Sequence, residues 1–236
     1  MKHPPRQKLV LFDIDGTILL TAGAGRRAIT IALAEAVGKA DGFANIRFDG
    51  KTDPQIVAEL LMAAGHDRPH ESDRIEALCR RYVTLLEQEL QEPTTVTSVM
   101  PGIHALLDRL AADWRVLLGL LTGNVIEGAM LKLRAAGIDP DRFTVGAYGS
   151  DAAHRPELPS IAAARAEAHF GRVPGGHDVV IIGDTPADIA CGASIGARAI
   201  GVATGAYSPE DLATCGAHAV FADLSETDRV LAAILD

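Results

Sequence analysis

Apolar and polar positions alternate in two different rhythms along this chain. Leu9, Val10, Leu11 and Phe12 form an unbroken apolar run, as expected of a strand buried on both faces. Asp13 and Asp15 follow at alternate positions, so an extended chain carries both carboxylates on one side, and Gly16 and Thr17 end the strand. From Arg26 to Val37 the apolar spacing becomes helical, with Gly38 as a stop. A loop containing Asp49, Gly50, Lys51 and Thr52 leads to a second helix. Asp53 is expected as its cap and Pro54 as its first residue, and it runs through Ile56, Val57, Leu60 and Leu61 to Gly65. A third begins near Pro69 and carries Ile75, Leu78, Tyr82, Leu85, Leu86 and Leu90. About seventy residues thus read as helical throughout, with no strand signal.

Glu92 to Gly102 has the composition of a linker, and beyond it helices and strands alternate. A helix over Gly102–Ala112 precedes a strand over Val116–Leu121 that ends in Thr122, Gly123 and Asn124, and a further helix stops at Gly137. Phe143–Tyr148 is a weaker strand. The stretch GSDAAHRPELP then opens an Ala-rich helix reaching Gly171. Val179–Ile182 is a buried strand ended by Gly183 and Asp184; Ala197–Val202 and Ala217–Phe221 are two more, each followed by a helical stretch. This alternation predicts an α/β fold, a Rossmann-like parallel sheet with right-handed crossovers. The expected division is a discontinuous α/β core, residues 1–19 and 93–236, interrupted by an all-helical cap over 20–92.

Composition narrows the function classes. Of 236 residues, 48% are hydrophobic and 4% aromatic, an ordinary balance for a soluble α/β chain. Cys79, Cys191 and Cys215 are far apart and lack CxxC spacing, which predicts reduced thiols and a cytoplasmic location. No apolar run approaches the ~18 residues of a membrane span. The net charge of -9 without a basic run argues against nucleic acid as a partner, so an anionic small substrate must be met locally by a metal or a few placed cations. The eight histidines show no zinc-binding spacing, and His154 reads as a solvated loop residue. Gly192 to Gly196 spells G-x-S-x-G, but with helix before and strand after, the reverse of a serine-hydrolase elbow. Trp114 is expected in the core, Cys191 as a small buried residue, and Arg26 and Arg27 on a solvated helix face.

The chemistry lies where strands end. Parallel strands bring Asp13 and Asp15, then Thr122, Gly123 and Asn124, then Asp184 and Asp188 to one edge, with Arg155 ahead of a helix between the last two groups. Several carboxylates in one cleft are tolerable chiefly around a cation, and all-oxygen donors favour Mg²⁺ over Zn²⁺. The Thr122 hydroxyl and the Gly123 backbone N–H suit phosphoryl oxygens, and the Arg155 guanidinium offsets phosphoryl charge. One carboxylate is then a nucleophile and another a proton carrier.

These motifs in this order resemble the haloacid dehalogenase superfamily, in its phosphoglycolate phosphatase-like branch with a helical cap. Its first motif, DxDGT, matches Asp13, Asp15, Gly16 and Thr17; its second, the apolar strand ending at Thr122; its fourth, GDxxxD, Gly183, Asp184 and Asp188. The third motif usually supplies a lysine, and here Arg155 stands in its place, with the same charge and a different fork geometry. The resemblance implies an aspartyl-phosphate on Asp13 and an acid–base role for Asp15. It implies Mg²⁺ on the Asp13 carboxylate, the Asp15 backbone carbonyl and Asp184, with Asp188 at one remove or acting through water. Thr17, Gly123 and Asn124 would contact substrate, and Lys51, in the cap's specificity loop, would meet a carboxylate or second anionic group. The implied activity is a Mg²⁺-dependent phosphatase for a small phosphomonoester, phosphoglycolate at family level. A sugar-phosphate mutase and a non-catalytic phosphate-binding module are the alternatives, while Asp15 argues against dehalogenase and phosphonoacetaldehyde hydrolase chemistry, which lack that aspartate.

Overall fold

In the computed structural model, which describes residues 6–38, 43 and 46–236, the chain builds one six-stranded sheet from strands β1 (Lys8–Phe12), β4 (Val116–Leu121), β5 (Val145–Ala147), β6 (Val179–Gly183), β7 (Arg198–Val202) and β8 (Ala219–Phe221). Their order is β5-β4-β1-β6-β7-β8, and every pairing is parallel. β1 lies at the centre, with Leu9 level with Leu117 on one side and Val179 on the other. The chain winds outward from β1 through β4 to β5, then returns to build β6, β7 and β8 on the opposite flank. The carboxyl ends of β1, β4 and β6 therefore border the point where the order reverses, the place where such sheets hold ligands.

Period-two alternation explains why these runs are apolar throughout. Val10, Phe12, Leu118, Leu120, Val180 and Ile182 join one apolar cluster, with α4 (Ile103–Ala112), α5 (Ile126–Ala135) and α9 (Thr227–Leu235) contributing to it. Leu9, Leu11, Leu117, Leu121, Val179 and Ile181 join another against α6 (Leu158–Phe170). Each fully buried Leu or Phe of β1 contributes about 1.5–3 kcal/mol, which fixes the strand that presents Asp13. The short helices α7 (Pro186–Cys191) and α8 (Pro209–Thr214) complete the layer beside β7.

Helices α1 (Ala24–Val37), α2 (Asp53–Ala63) and α3 (Ser72–Gln91) carry an apolar cluster of their own, including Ile29, Leu33, Leu61, Tyr82 and Leu86, to which α5's neighbour Val125 adds. Beside them lies one feature the sequence pattern did not show. β2 (Leu19–Leu20) pairs antiparallel with β3 (Ser98–Val99), so a two-stranded ribbon stands where the chain leaves the sheet and returns. Two residues per strand are too few to set up a period.

Two local expectations are corrected. Trp114 is half exposed, at 51%, because it lies in the turn between α4 and β4, where neither sheet face reaches it. Asp53 does not cap α2: the Thr52 hydroxyl accepts from the Gln55 N–H at 3.2 Å, and Asp53 is the first helical residue. The G-x-S-x-G stretch forms a 3₁₀ turn between α7 and β7, with Ser194 exposed.

Candidate active site

Asp13 extends β1 by one residue, its N–H donating to the Ile182 carbonyl at 2.9 Å, and this pairing fixes the carboxylate at the sheet's edge. Arg155 opens the 3₁₀ turn that leads into α6 and is itself buried. One guanidinium nitrogen donates to Asp13 Oδ1 at 2.9 Å, to the Leu121 carbonyl at 3.3 Å and to Asp188 Oδ1. Asp188 is held in turn by a capping box at the start of α7, its Oδ2 accepting from the Thr185 N–H at 3.0 Å and the Thr185 hydroxyl at 2.7 Å. Asp184, also buried, accepts from the Thr17 hydroxyl at 3.2 Å. Glycine is required around it: a Cβ at Gly205 would fall 1.8 Å from Asp184 Oδ2, and one at Gly16, where φ is +85°, 2.3 Å away.

Burial dominates the electrostatics of this side. It pushes the Asp13 carboxyl up to about 7, against the opposing pull of Arg155 and with added repulsion from Asp188 and Asp15. Burial, then repulsion from Asp13 and Asp188, pushes Asp184 up to about 8. The Arg155 guanidinium, despite its burial, is held above its ordinary range by Asp188 and Asp13. Carboxyls that resist ionisation this strongly want a cation. Asp13, Asp184 and Asp188 offer oxygens within 4.8 Å of one another, a hard, all-oxygen set that fits a divalent ion such as Mg²⁺. Both Asp188 oxygens already accept from protein donors, so Asp13 and Asp184 are the freer ligands.

Across the cleft stands a second cation. Lys132, on α5, is buried, and its ammonium donates to Asp15 Oδ1 at 2.8 Å, Asp15 Oδ2 at 2.7 Å and Asn124 Oδ1 at 2.6 Å. The Asn124 amide donates to Asp15 Oδ2 and to the Thr122 hydroxyl, each at 2.7 Å. Asp53 arrives from α2: its N–H donates to the Gly123 carbonyl at 2.7 Å and its carboxylate accepts from the Val125 N–H at 2.8 Å. Burial raises its pKa to about 6, partly offset by the charge of Lys132.

Between the two cations lies a cavity of about 240 Å³, walled on the sheet side by Asp13, Asp15, Thr122 and Asp184 and on the helical side by Phe48, Lys51, Ile56 and Tyr82. Arg26 also borders it, its guanidinium 3.8 Å from the Phe48 ring centre, so it stands at the cavity mouth. The loop before α2 presses closely on the core. A Cβ at Gly123 would meet the Lys51 carbonyl oxygen at 2.1 Å, and one at Gly50 the Ala187 Cβ at 2.6 Å. A larger cleft of about 530 Å³, between α3 and residues 149–153, contains none of the strand-end groups.

Of the residues singled out by sequence, Asp13, Asp15, Thr122, Gly123, Asn124, Arg155 and Asp184 converge on this cavity. Lys51 also reaches it, but its ammonium is paired with Glu59. Thr17 is fully buried and turned to Asp184 rather than lining the cavity, and Asp188 lies behind Arg155. Sequence reasoning missed Lys132 and the bridging role of Asp53. Lys132 shares its helix face with Gly128, Ala129 and Leu133, and only the docked helix shows that this face is buried.

The HAD-hydrolase-like family matches residues 153–227, the part carrying Arg155, Asp184 and Asp188. A phosphoglycolate phosphatase of Cereibacter sphaeroides (strain ATCC 17029 / ATH 2.4.9) is 30% identical over 191 residues, covering 80% of this chain and 82% of that one. The chain belongs to the haloacid dehalogenase superfamily. Solved structures agree on the fold of this superfamily. A phosphoglycolate phosphatase from Haemophilus somnus 129PT, itself assigned by prediction, superposes with a TM-score of 0.70 at 19% identity, over 96% of this chain and 98% of that one. A β-phosphoglucomutase from Clostridium difficile does so with a TM-score of 0.69 at 16% identity, over 98% and 97%.

Proposed function

We propose that this haloacid dehalogenase superfamily member is a Mg²⁺-dependent phosphatase for small phosphomonoesters, with residues 20–92 acting as a cap over a sheet-borne catalytic core. The observation that carries it is the Asp13 carboxylate, buried at the end of β1, 2.9 Å from a buried guanidinium, and opening on a 240 Å³ cavity that it shares with Asp15, Thr122 and Asp184. In this reading an Asp13 oxygen attacks phosphorus while the bond from phosphorus to the ester oxygen breaks, and Asp15 gives its proton to that departing oxygen. Water then attacks the aspartyl-phosphate and Asp15 takes back a proton. The bond to Asp13 breaks, and inorganic phosphate leaves. Thr122, Gly123 and Arg155 hold the phosphoryl oxygens.

Asp13 and Asp184, with the Asp15 carbonyl and Asp188 behind them, would hold Mg²⁺. Bound there, the ion offsets the negative charge that otherwise separates a carboxylate nucleophile from a phosphate dianion. The cavity's modest volume supports a small ester, and the phosphatases named among the relatives make phosphoglycolate the first substrate to try. The test is inorganic phosphate release over a panel of small phosphomonoesters, with Mg²⁺, with chelator, and with Asp13→Asn. Release that needs Mg²⁺ and falls about 10⁴-fold or more in Asp13→Asn is expected. Release surviving either treatment overturns the mechanism. Conversion of a sugar phosphate to its isomer without inorganic phosphate identifies a mutase instead.

A further inference from the structure

A lysine ammonium is among the groups least tolerated inside a protein, and its burial on the apolar stripe of α5 demands compensation. Lys132 receives it in full. An ammonium has three N–H donors, and here they meet three acceptors, both oxygens of Asp15 and the amide oxygen of Asn124. Asn124 then spends its own two N–H groups on Asp15 and Thr122. Asp15 is the one strand-end acid with a substantially exposed side chain, at 41%, so without these bonds its carboxylate would be free to turn into the cavity or toward solvent.

The helical unit closes around the same ammonium. A Cβ built on Gly25 of α1 would lie 3.4 Å from Lys132 Nζ and 3.6 Å from the Tyr82 hydroxyl of α3, and Asp53 of α2 lines the same cavity as Lys132. Each of the three helices thus lines, with Gly25, Asp53 or Tyr82, the cavity that this core lysine also lines.

We propose that Lys132 is the positioning residue of Asp15, holding the acid–base carboxylate at the geometry its proton transfer requires once the helical unit has closed. It touches no reacting atom itself. The role rests on the phosphatase activity proposed above, because it concerns the step in which the ester oxygen leaves with a proton from Asp15. Displacing a catalytic group by about 1 Å lowers the rate about 100-fold.

The experiment compares two esters in the full-length protein with Mg²⁺: the best alkyl phosphate from the panel, whose leaving oxygen needs a proton, and p-nitrophenyl phosphate, whose leaving group departs without one. Lys132→Met is expected to lower kcat on the alkyl ester about 100-fold with KM little changed. The nitrophenol burst, which reports attack by Asp13 alone, should change less than about fivefold, and Lys132→Met should add nothing in an Asp15→Asn background. Should Lys132→Met fail to fold, Lys132→Gln, which keeps a donor but loses the charge, is judged by the same contrast. A nitrophenol burst slowed as much as turnover of the alkyl ester, losses that add to those of Asp15→Asn, or undiminished turnover of the alkyl ester each overturn the positioning role while leaving the phosphatase activity standing. A wild-type protein that releases phosphate from neither ester overturns that activity and takes this role with it.

Discussion

The two flanks of the cleft use the same device, a buried cation against aspartate, in opposite ways. On the Arg155 flank every partner is enclosed, with side-chain exposures of 5% for Arg155, 8% for Asp13 and 0% for Asp188. On the Lys132 flank the cation is as enclosed, at 5%, while its partner Asp15 is 41% exposed. A guanidinium shared between two dry carboxylates makes a fixed frame, which suits the nucleophile and metal ligand proposed for Asp13. An ammonium holding one half-open carboxylate makes a joint, which suits the proton carrier proposed for Asp15. In the proposed mechanism, the division of labour between the aspartates of the first motif would therefore come from what faces them, not from their own chemistry.

The sharpest way to break this comparison is to remove each cation and measure stability. Arg155→Met leaves Asp13 and Asp188 without their buried counter-charge, and unfolding by urea should report a loss of about 3–5 kcal/mol. Lys132→Met exposes a carboxylate that water already reaches, so a loss nearer 1 kcal/mol is expected. Equal losses would mean that the flanks do not differ in kind. Arg155→Lys should fall between, since a lysine keeps the charge but not the planar fork.

The same contrast explains what could be read in the sequence. Arg155 was legible because it precedes Pro156 at a helix start, between the strand that ends in Thr122, Gly123 and Asn124 and the strand that ends in Asp184, so its place on the sheet edge follows from connectivity. Lys132 was not, because a lysine in MLKLRAAG looks like any solvated helix position until the helix is docked and its buried stripe is known. The six strands were legible as apolar runs, with ends shifting by a residue or two. The β2–β3 ribbon and the exposure of Trp114 were not, for each depends on where the chain turns rather than on which residues it contains. Asp53 shows the limit most clearly. Local preference made it a helix cap, and the tertiary fold gave that task to Thr52 and sent the carboxylate across to Val125.

A second prediction concerns pH. Asp13 and Asp184, raised to about 7 and about 8 by burial, keep protons in the folded metal-free protein that the unfolded chain has lost by about pH 4. Their contribution to stability is complete below the unfolded value and is lost as pH rises through 7 and 8. With chelator present, Tm should fall between pH 5 and 8.5. Mg²⁺ competes with those protons, so its stabilisation should grow over the same range. At a hundredfold excess over its Kd it reaches about 2.7 kcal/mol, or roughly 5–10 °C in a chain of this size. A Mg²⁺ shift of equal size at both ends of the range would place the ion elsewhere than on the Arg155 flank.

The smallest expected effect tests the helical wall that faces both flanks. Lys51 lines the cavity with its ammonium on Glu59, and Glu59 also accepts from the Gln55 amide at 3.0 Å. If Lys51 serves a second anionic group on the substrate, that group must compete with Glu59 for it, and the net gain is the difference between two ion pairs in a partly solvated place. Lys51→Ala should then raise KM about three- to tenfold for esters carrying a carboxylate, leave kcat within a factor of two, and hardly affect uncharged alkyl phosphates. Lys51→Ala together with Glu59→Gln separates two causes. If the KM of the carboxylated ester recovers, the single substitution acted by leaving Glu59 as an unpaired negative charge beside the cavity. If it does not, Lys51 itself holds the substrate. An unchanged ranking of esters in both variants would make the Lys51–Glu59 pair a brace of α2 alone, and selectivity would then rest on Arg26, the other cation that the helical side brings to the cavity among the described residues.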